Sequence, residues 1–325
     1  MSALVWIDDL YAGFVATLPE ALAPLGRALP KALDLAPSVD VPWSEVFSHP
    51  ITLGAPRLVA EGMPGLGEDV VRDATLAHLL AIIEAFGTDR ILDGQIDPSP
   101  EIDAVLAHAR KARDAALARV NGAGQAAGRG APSFAHADAE TAAAIRAEHD
   151  ILHGGQAVSW SRYLAVVHGK QRLGLPASLS LARAAGWDAR RQKSLGKLLD
   201  AVWIGLQLHD DVVDWEADLS RGGAWAASLA AHVPMRSNPR DRKTVPVSAR
   251  RLVFESGALA RMLAHSTRSF RAARRRAEVL HLGELCSWAR ERERATASLA
   301  HDELASPGQT NRAHALAHWA KTVLQ

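Results

Sequence analysis

Four aspartates in the second half of the chain carry most of the chemical signal. In the segment Leu206–Asp218, Asp210, Asp214 and Asp218 recur every four residues, and Asp211 stands three before Asp214. On a helix that spacing stacks the carboxylates on neighbouring turns of one face. They also continue the apolar stripe Leu199, Trp203, Leu206, which must face a core. Carboxylates crowded on such a stripe repel one another and lose hydration, each at a cost of several kcal/mol unless cations lie between them. An oxygen-only cluster selects hard ions, and magnesium in particular keeps coordination places for water and phosphate oxygens.

A second acidic pair sits earlier. Asp89 and Asp93 extend the line Ile82, Phe86 into the last turns of a helical pattern that closes near Gly94, with Arg90 beside them. Acids at a helix C-terminus oppose the macrodipole, at up to about 1 kcal/mol, unless a cation offsets them. Other groupings carry less. Asp8–Asp9 reads as the solvated side of an amphipathic helix. Glu148, His149, Asp150 and His153 lack a third ligand at zinc spacing. The arginine run at 290–294 alternates with glutamates and reads as a wet helix face. No phosphate-cradling glycine loop, nucleophile elbow or HExxH helix occurs.

The elements that must position these residues are helical throughout. Alanine is abundant, β-branched runs are few, and no strand pattern or internal repeat emerges. The pattern predicts one helix from Ile7 to Ala28, then an irregular stretch punctuated by Pro30, Pro37, Pro42, Pro50, Pro56 and Pro64. Helices follow over 67–94, 101–120, 137–152, 156–172, 176–185 and 188–218, the last apolar nearly all round and so central to a bundle. Residues 121–132, NGAGQAAGRGAP, read as a surface loop, and so do residues 234–246. Two long helices from about Ala249 to Ala305 and a short one after Pro307 complete the chain. The expected architecture is one all-α bundle over 1–325: an N-terminal helix and irregular segment (1–66), both acidic motifs (67–233) and C-terminal helices (234–325).

Composition narrows the function classes. The 325 residues are 48% hydrophobic and 22% charged, with a net charge of +1, so no global field favours nucleic acid or an anionic membrane. One cysteine, Cys286, rules out an internal disulfide framework and suits a reducing compartment. No apolar run reaches the ~18 residues needed to span a bilayer. The N-terminal residues carry acids and no basic region, unlike a secretion signal. The expectation is a cytoplasmic protein with no stable membrane insertion.

The residues quoted so far resemble the class I isoprenoid synthases. LQLHDDVVDWEADLSRGG (206–223) looks like the second aspartate-rich motif of polyprenyl synthases, with Gln207 three residues before Asp210–Asp211–Asp214. Its continuation is similar to the squalene and phytoene synthase form, where another acid follows four residues on, as Asp218 does. Gly222 matches the Gly of that form's Gly-Arg, and Gly223 stands where the arginine would be, with Arg221 adjacent. Lys170 lies forty residues before Asp210, close to the spacing of the diphosphate-binding lysine of polyprenyl synthases. Asp89 and Asp93 resemble the DxxxD of squalene, phytoene and terpene synthases.

The resemblance implies a central apolar cavity walled by residues such as Phe86, Trp160 and Trp203. It implies three magnesium ions held by Asp89, Asp93, Asp210, Asp211, Asp214 and Asp218. Lys170, Gln207, Arg90 and Arg221 would contact the diphosphate of a prenyl substrate. It also leaves room for a homodimer. The GKxxRP-like stretch and the Arg-Arg with which chain-elongating relatives bind isopentenyl diphosphate are missing here. Cyclisation of the ionised prenyl chain is therefore the expected activity, with squalene- or phytoene-type condensation the alternative. A non-catalytic helical protein that binds a prenyl lipid or a partner is the reading from a different class.

Overall fold

The computed structural model describes residues 5–47, 49–92, 94–123, 131–154, 157–221, 223–235, 245 and 247–305. Among them there are helices and no strands. In chain order these are α1 (Val5–Val15), α2 (Ala23–Arg27), α3 (Leu29–Ala32), α4 (Trp43–Val46), α5 (Pro50–Ala60) and α6 (Glu68–Leu92). Then come α7 (Pro100–Ala123), α8 (Phe134–His153), α9 (Trp160–Lys170), a 3-10 turn (Gln171–Gly174), α10 (Pro176–Ala184) and α11 (Ala189–Val213). The last are α12 (Trp215–Arg221), α13 (Trp225–Ala231), α14 (Val247–Glu255), α15 (Ala258–Val279) and α16 (Gly283–Ala305). None of these helices is long and apolar enough to cross a membrane.

The chain divides into two compact units, each with its own core. The first comprises Met1–Asp138, Arg172–Gly196 and Leu280–Glu284. There α6 packs against α5, α7 and α10. Ile7, Leu29, Leu79, Leu80, Ile83 and Val105 form the centre of its main cluster. The second unit comprises Ala139–Gln171, Lys197–Val279 and Leu285–Gln325. Its core gathers Val166, Val167, Leu208, Val212, Trp225 and Met262.

Four expectations change. The helix expected over 7–28 stops at Val15; Pro19 and Pro24 cannot continue the backbone ladder, and α2 and α3 restart as short pieces. The proline-rich stretch is more ordered than its composition suggests. Pro50 opens α5, where a missing N–H is harmless, and α5 tolerates Pro56 because non-helical backbone at Gly54 relieves the kink. The long central helix breaks at Asp214 between α11 and α12, although the bonds Asp214 N–H to Asp210 O (2.9 Å) and Asp218 N–H to Asp214 O (2.9 Å) preserve the helical stagger. The helix from about Ala249 starts at Val247 and is divided by Gly257, whose φ of +72° suits glycine. The short helix after Pro307 and most of the loops at 121–132 and 234–246 lie outside the described residues.

Two close approaches in the second unit fix the helices that carry the acidic motif. A Cβ on Gly205 would lie 2.9 Å from the Phe270 ring, and the Ser266 hydroxyl donates to Gly205 O at 2.7 Å, clamping α15 on α11. A Cβ on Gly169 would meet Ala144 Cβ at 2.5 Å, and Thr141 donates to Gly169 O at 3.2 Å, seating α9 on α8. Larger residues at either position would push these helices apart.

Candidate active site

The acidic motif lies at the end of α11 and along α12. Asp211 is buried, at 9% exposure, and its carboxylate is held on both oxygens. The Tyr163 hydroxyl donates to Oδ2 at 2.5 Å, and Gln207 Nε2 donates to Oδ1 at 2.9 Å. Gln171 Nε2 in turn donates to Gln207 Oε1 at 3.0 Å. Burial pushes Asp211 up to about 6, against the pull of the Tyr163 and Gln207 hydrogen bonds. The same burial, with the Asp211 charge, holds the Tyr163 phenol well above its ordinary value.

Asp210 and Asp214 behave differently. Both are exposed to solvent. Even so, the Asp210 carboxyl is pushed up to about 7, by desolvation first and then by the Asp214 and Asp211 charges, with Arg221 opposing. Asp214 is raised by desolvation too, again against Arg221. Asp218 is pushed up to about 8 by burial and by Asp211, despite an ion pair with Arg221 Nη2 at 2.8 Å.

Two turns of α9 beyond Tyr163, Lys170 Nζ meets Glu148 Oε2 at 2.5 Å, and Trp225 Nε1 donates to Glu148 Oε1 at 2.7 Å. Lys170 and Glu148 are 17% and 18% exposed, so the lysine reaches the site with its charge balanced by Glu148. Glu148, Tyr163, Gln171 and Trp225 are neighbours of Lys170, Gln207 and Asp211 to which motif reading gives no role. Glu148 was nonetheless legible: it follows Thr141 and Ala144 at helical steps and precedes Leu152, so it is an acid on a buried stripe.

In the first unit, Asp89 is half-buried in the last turn of α6. Arg90 Nη1 donates to Asp34 O at 3.0 Å and lies 3.7 Å from its carboxylate. Asp93 lies outside the described residues. Asp8, expected in solvent, accepts from Ser44 N at 3.0 Å. Phe86 packs on Phe47 at 4.8 Å between centroids, Trp203 is buried, and Trp160 packs on Tyr163 at 5.4 Å.

The donor chemistry at the end of α11 fits a hard divalent cation, being all carboxylate with an excess of negative charge. Among the described residues no three His, Cys, Asp or Glu side chains converge as a metal cage. That is compatible with magnesium, which is commonly held by one or two carboxylates and completed by water and substrate phosphate.

No family model matches the chain, and no curated protein matches it in sequence. Solved structures do. A geranylgeranyl pyrophosphate synthetase from the archaeon Geoglobus acetivorans is 15% identical with a TM-score of 0.66, over 89% of this chain and 97% of that one. A polyprenyl synthase from Caulobacter crescentus CB15, complexed with calcium and isoprenyl diphosphate, is 19% identical with a TM-score of 0.60, over 88% and 93%. A further geranylgeranyl pyrophosphate synthase is 13% identical with a TM-score of 0.63, over 90% and 99%. At these identities the likeness is one of fold, and the chain has the all-α fold of the class I isoprenoid synthases.

Proposed function

We propose that this protein is a prenyltransferase: it ionises a prenyl diphosphate with the help of magnesium and passes the allylic cation to a second isoprenoid. The observation that carries the reading is the pair Asp210 and Asp214, solvent-reaching and both held up by desolvation, with the Asp214 charge raising Asp210 further. The shared fold favours transfer over cyclisation, because the neighbours named above are prenyl diphosphate synthases. The reading takes residues 1–325 as one catalytic domain acting in the cytoplasm, where the buried Cys286 thiol stays reduced.

Asp210 and Asp214 present oxygens to the cations, with Asp218 on the next turn. When bound, magnesium would neutralise the diphosphate and draw charge from the breaking C–O bond. Lys170, shared with Glu148, and Arg221, shared with Asp218, supply the charge-assisted hydrogen bonds to phosphate oxygens. Gln207 and Asp211, locked through Gln171 and Tyr163, keep the end of α11 at one rotation. Asp89 and Asp93 enter as the second acidic motif. Arg90 would exchange Asp34 for a phosphate oxygen.

One observation favours a second reading. The missing basic stretches for isopentenyl diphosphate leave cyclisation as the activity that needs the fewest parts. Incubation with geranyl, farnesyl and geranylgeranyl diphosphates plus magnesium, with and without isopentenyl diphosphate, separates the two. A lengthened or doubled prenyl product supports transfer. A cyclic hydrocarbon or alcohol formed without a second substrate supports cyclisation. No release of diphosphate from any substrate overturns both and leaves the lipid-binding reading.

A further inference from the structure

Away from the acidic motif, the second unit has a recess of 330 Å³ whose walls come from α9, α11 and α15. His168, Lys197, His265, Arg268 and Arg276 line it, and Asp200 is the one acid among its lining residues. Three permanent cations against one carboxylate leave the walls at +2 with both histidines neutral. On a protein whose net charge is +1, that is a local concentration of charge.

Four of the six arginines that α15 carries are accounted for, Arg276 through a bond from Nη1 to Ala272 O at 3.2 Å. Arg271 and Arg274 share Glu293, at 2.6 Å and 3.0 Å, and Arg261 stacks on Trp160 at 4.5 Å. Arg268 and Lys197 have no ion-pair partner among the described residues. The Ser269 hydroxyl, 9% exposed, is a further donor on the wall. Permanent cations gathered in one recess from α11 and α15 repel one another. The effect reaches His265, whose basicity falls through burial and then through Arg268, His168 and Arg261. The recess does not relax by moving its walls apart, since Ser266 and Phe270 lock α15 onto α11 at Gly205. Here the charged residues line one open recess.

We propose that this recess binds a phosphate-bearing anion, the size of inorganic diphosphate or the phosphorylated head of a small molecule. Guanidinium groups match phosphate geometry with two parallel hydrogen bonds, and lysine and imidazolium add point charges. Free diphosphate is what the proposed reaction releases, so naming it as the occupant rests on that reading; the site itself does not.

Calorimetric titration of the full chain with inorganic diphosphate in excess EDTA isolates this site, because without divalent cations the aspartates repel the anion. One saturable site per chain is expected, persisting at about 0.15 M salt, where unconstrained surface attraction is largely screened. Arg268→Gln and Lys197→Gln should each weaken it about tenfold, one charge-assisted contact apiece, while Arg251→Gln, at an exposed ion pair of α14, leaves it unchanged. Thermal melts of the variants confirm that they fold. A parallel arm with phosphatidylcholine vesicles, with and without an anionic lipid, identifies the source of the phosphate. Saturable binding of either free diphosphate or the anionic vesicles, lost in the two variants, supports the site. No saturable binding of either, or binding that sulfate matches and salt removes, overturns it. Metal-free binding without prenyl turnover would keep this site and discard the proposed reaction.

Discussion

Two clusters of acidic side chains, one in each unit, show opposite treatments of buried charge. In the first, Arg113 is 0% exposed and Glu84 5%, and every charge finds its opposite. Arg113 donates to Glu84 at 2.9 Å, to both oxygens of Asp138 at 2.8 Å and to Asp114 at 3.0 Å. Arg110 adds a second ion pair to Glu84, and the Arg113 guanidinium lies 4.3 Å over the Phe134 ring. In the second cluster, Asp210, Asp211, Asp214 and Asp218 have, among the described residues, one ion-paired cation within the motif, Arg221. The nearby Lys170 is held by Glu148. Burial raises carboxyls in both places, and neighbouring acids add to it in both; in the first cluster Arg110 and Arg113 oppose the rise in Glu84, while in the second Arg221 alone among the cations opposes it in Asp210 and Asp218. Charge kept for architecture is closed on itself. Charge kept for a ligand is left in deficit.

That contrast can be broken at either end. Arg113→Ala should produce the largest loss of stability, about 3–5 kcal/mol, because it takes the buried guanidinium from Asp138 and leaves Glu84 with Arg110 alone. Urea unfolding measures it. A loss below about 1 kcal/mol would mean that the closed network is ornament. Asp210→Asn should do the reverse: turnover falls about 10²–10³-fold, equivalent to ~3–4 kcal/mol of transition-state stabilisation, while the midpoint of unfolding stays or rises. Diphosphate release and the same urea titration report the two halves. A variant that unfolds early, as Arg113→Ala does, would make the second cluster architectural as well.

The difference between the clusters also marks what the sequence discloses. The aspartates of α11 were legible because helical spacing and an apolar stripe place them without reference to any other element. The Glu84–Arg113 network was not, since Glu84 reads as an ordinary polar interruption of α6 until α7 brings Arg110 and Arg113 beside it. Tyr163 and Gln171 were hidden in the same way: their partners are 48 and 36 residues away. Helix existence was legible from Gly67 to Gly223, where periodicity is sustained. Residues 30–65 were misread because each proline was counted as a break, whereas Pro50 starts α5 and Pro56 is absorbed at a kink.

Tyr163→Phe sharpens the comparison within the second cluster itself, by testing whether Asp211 supports its neighbours. Removing the hydroxyl takes one donor from a buried carboxylate and leaves Gln207 as the other. A destabilisation of about 1–3 kcal/mol is expected, with turnover falling less than in Asp210→Asn. Phenylalanine that costs nothing in unfolding, yet abolishes turnover, would instead place the hydroxyl against substrate.

The smallest effect is the pH dependence of stability in metal-free protein. A carboxyl raised above its unfolded value binds more protons folded than unfolded, so its stabilising contribution is full below the unfolded value and is lost as pH rises through the folded one. With Asp210 near 7 and Asp218 near 8, the loss continues through neutral pH. His78, lowered to about 4 by complete burial, acts oppositely: its folded form resists protonation, so stability rises with pH until about 6.5 and is flat beyond. The window from pH 6.5 to 8 therefore isolates the aspartates. Because Asp210 is exposed and Asp218 partly so, solvent screening holds the fall below about 1 kcal/mol. Thermal melts in EDTA should show the midpoint declining across that window and magnesium restoring it at pH 8. The closed cluster offers a control, since Arg113 already neutralises Glu84 and Asp138 and magnesium has nothing to correct there. A midpoint level from pH 6.5 to 8 and indifferent to magnesium would show that the aspartates of α11 and α12 carry no deficit.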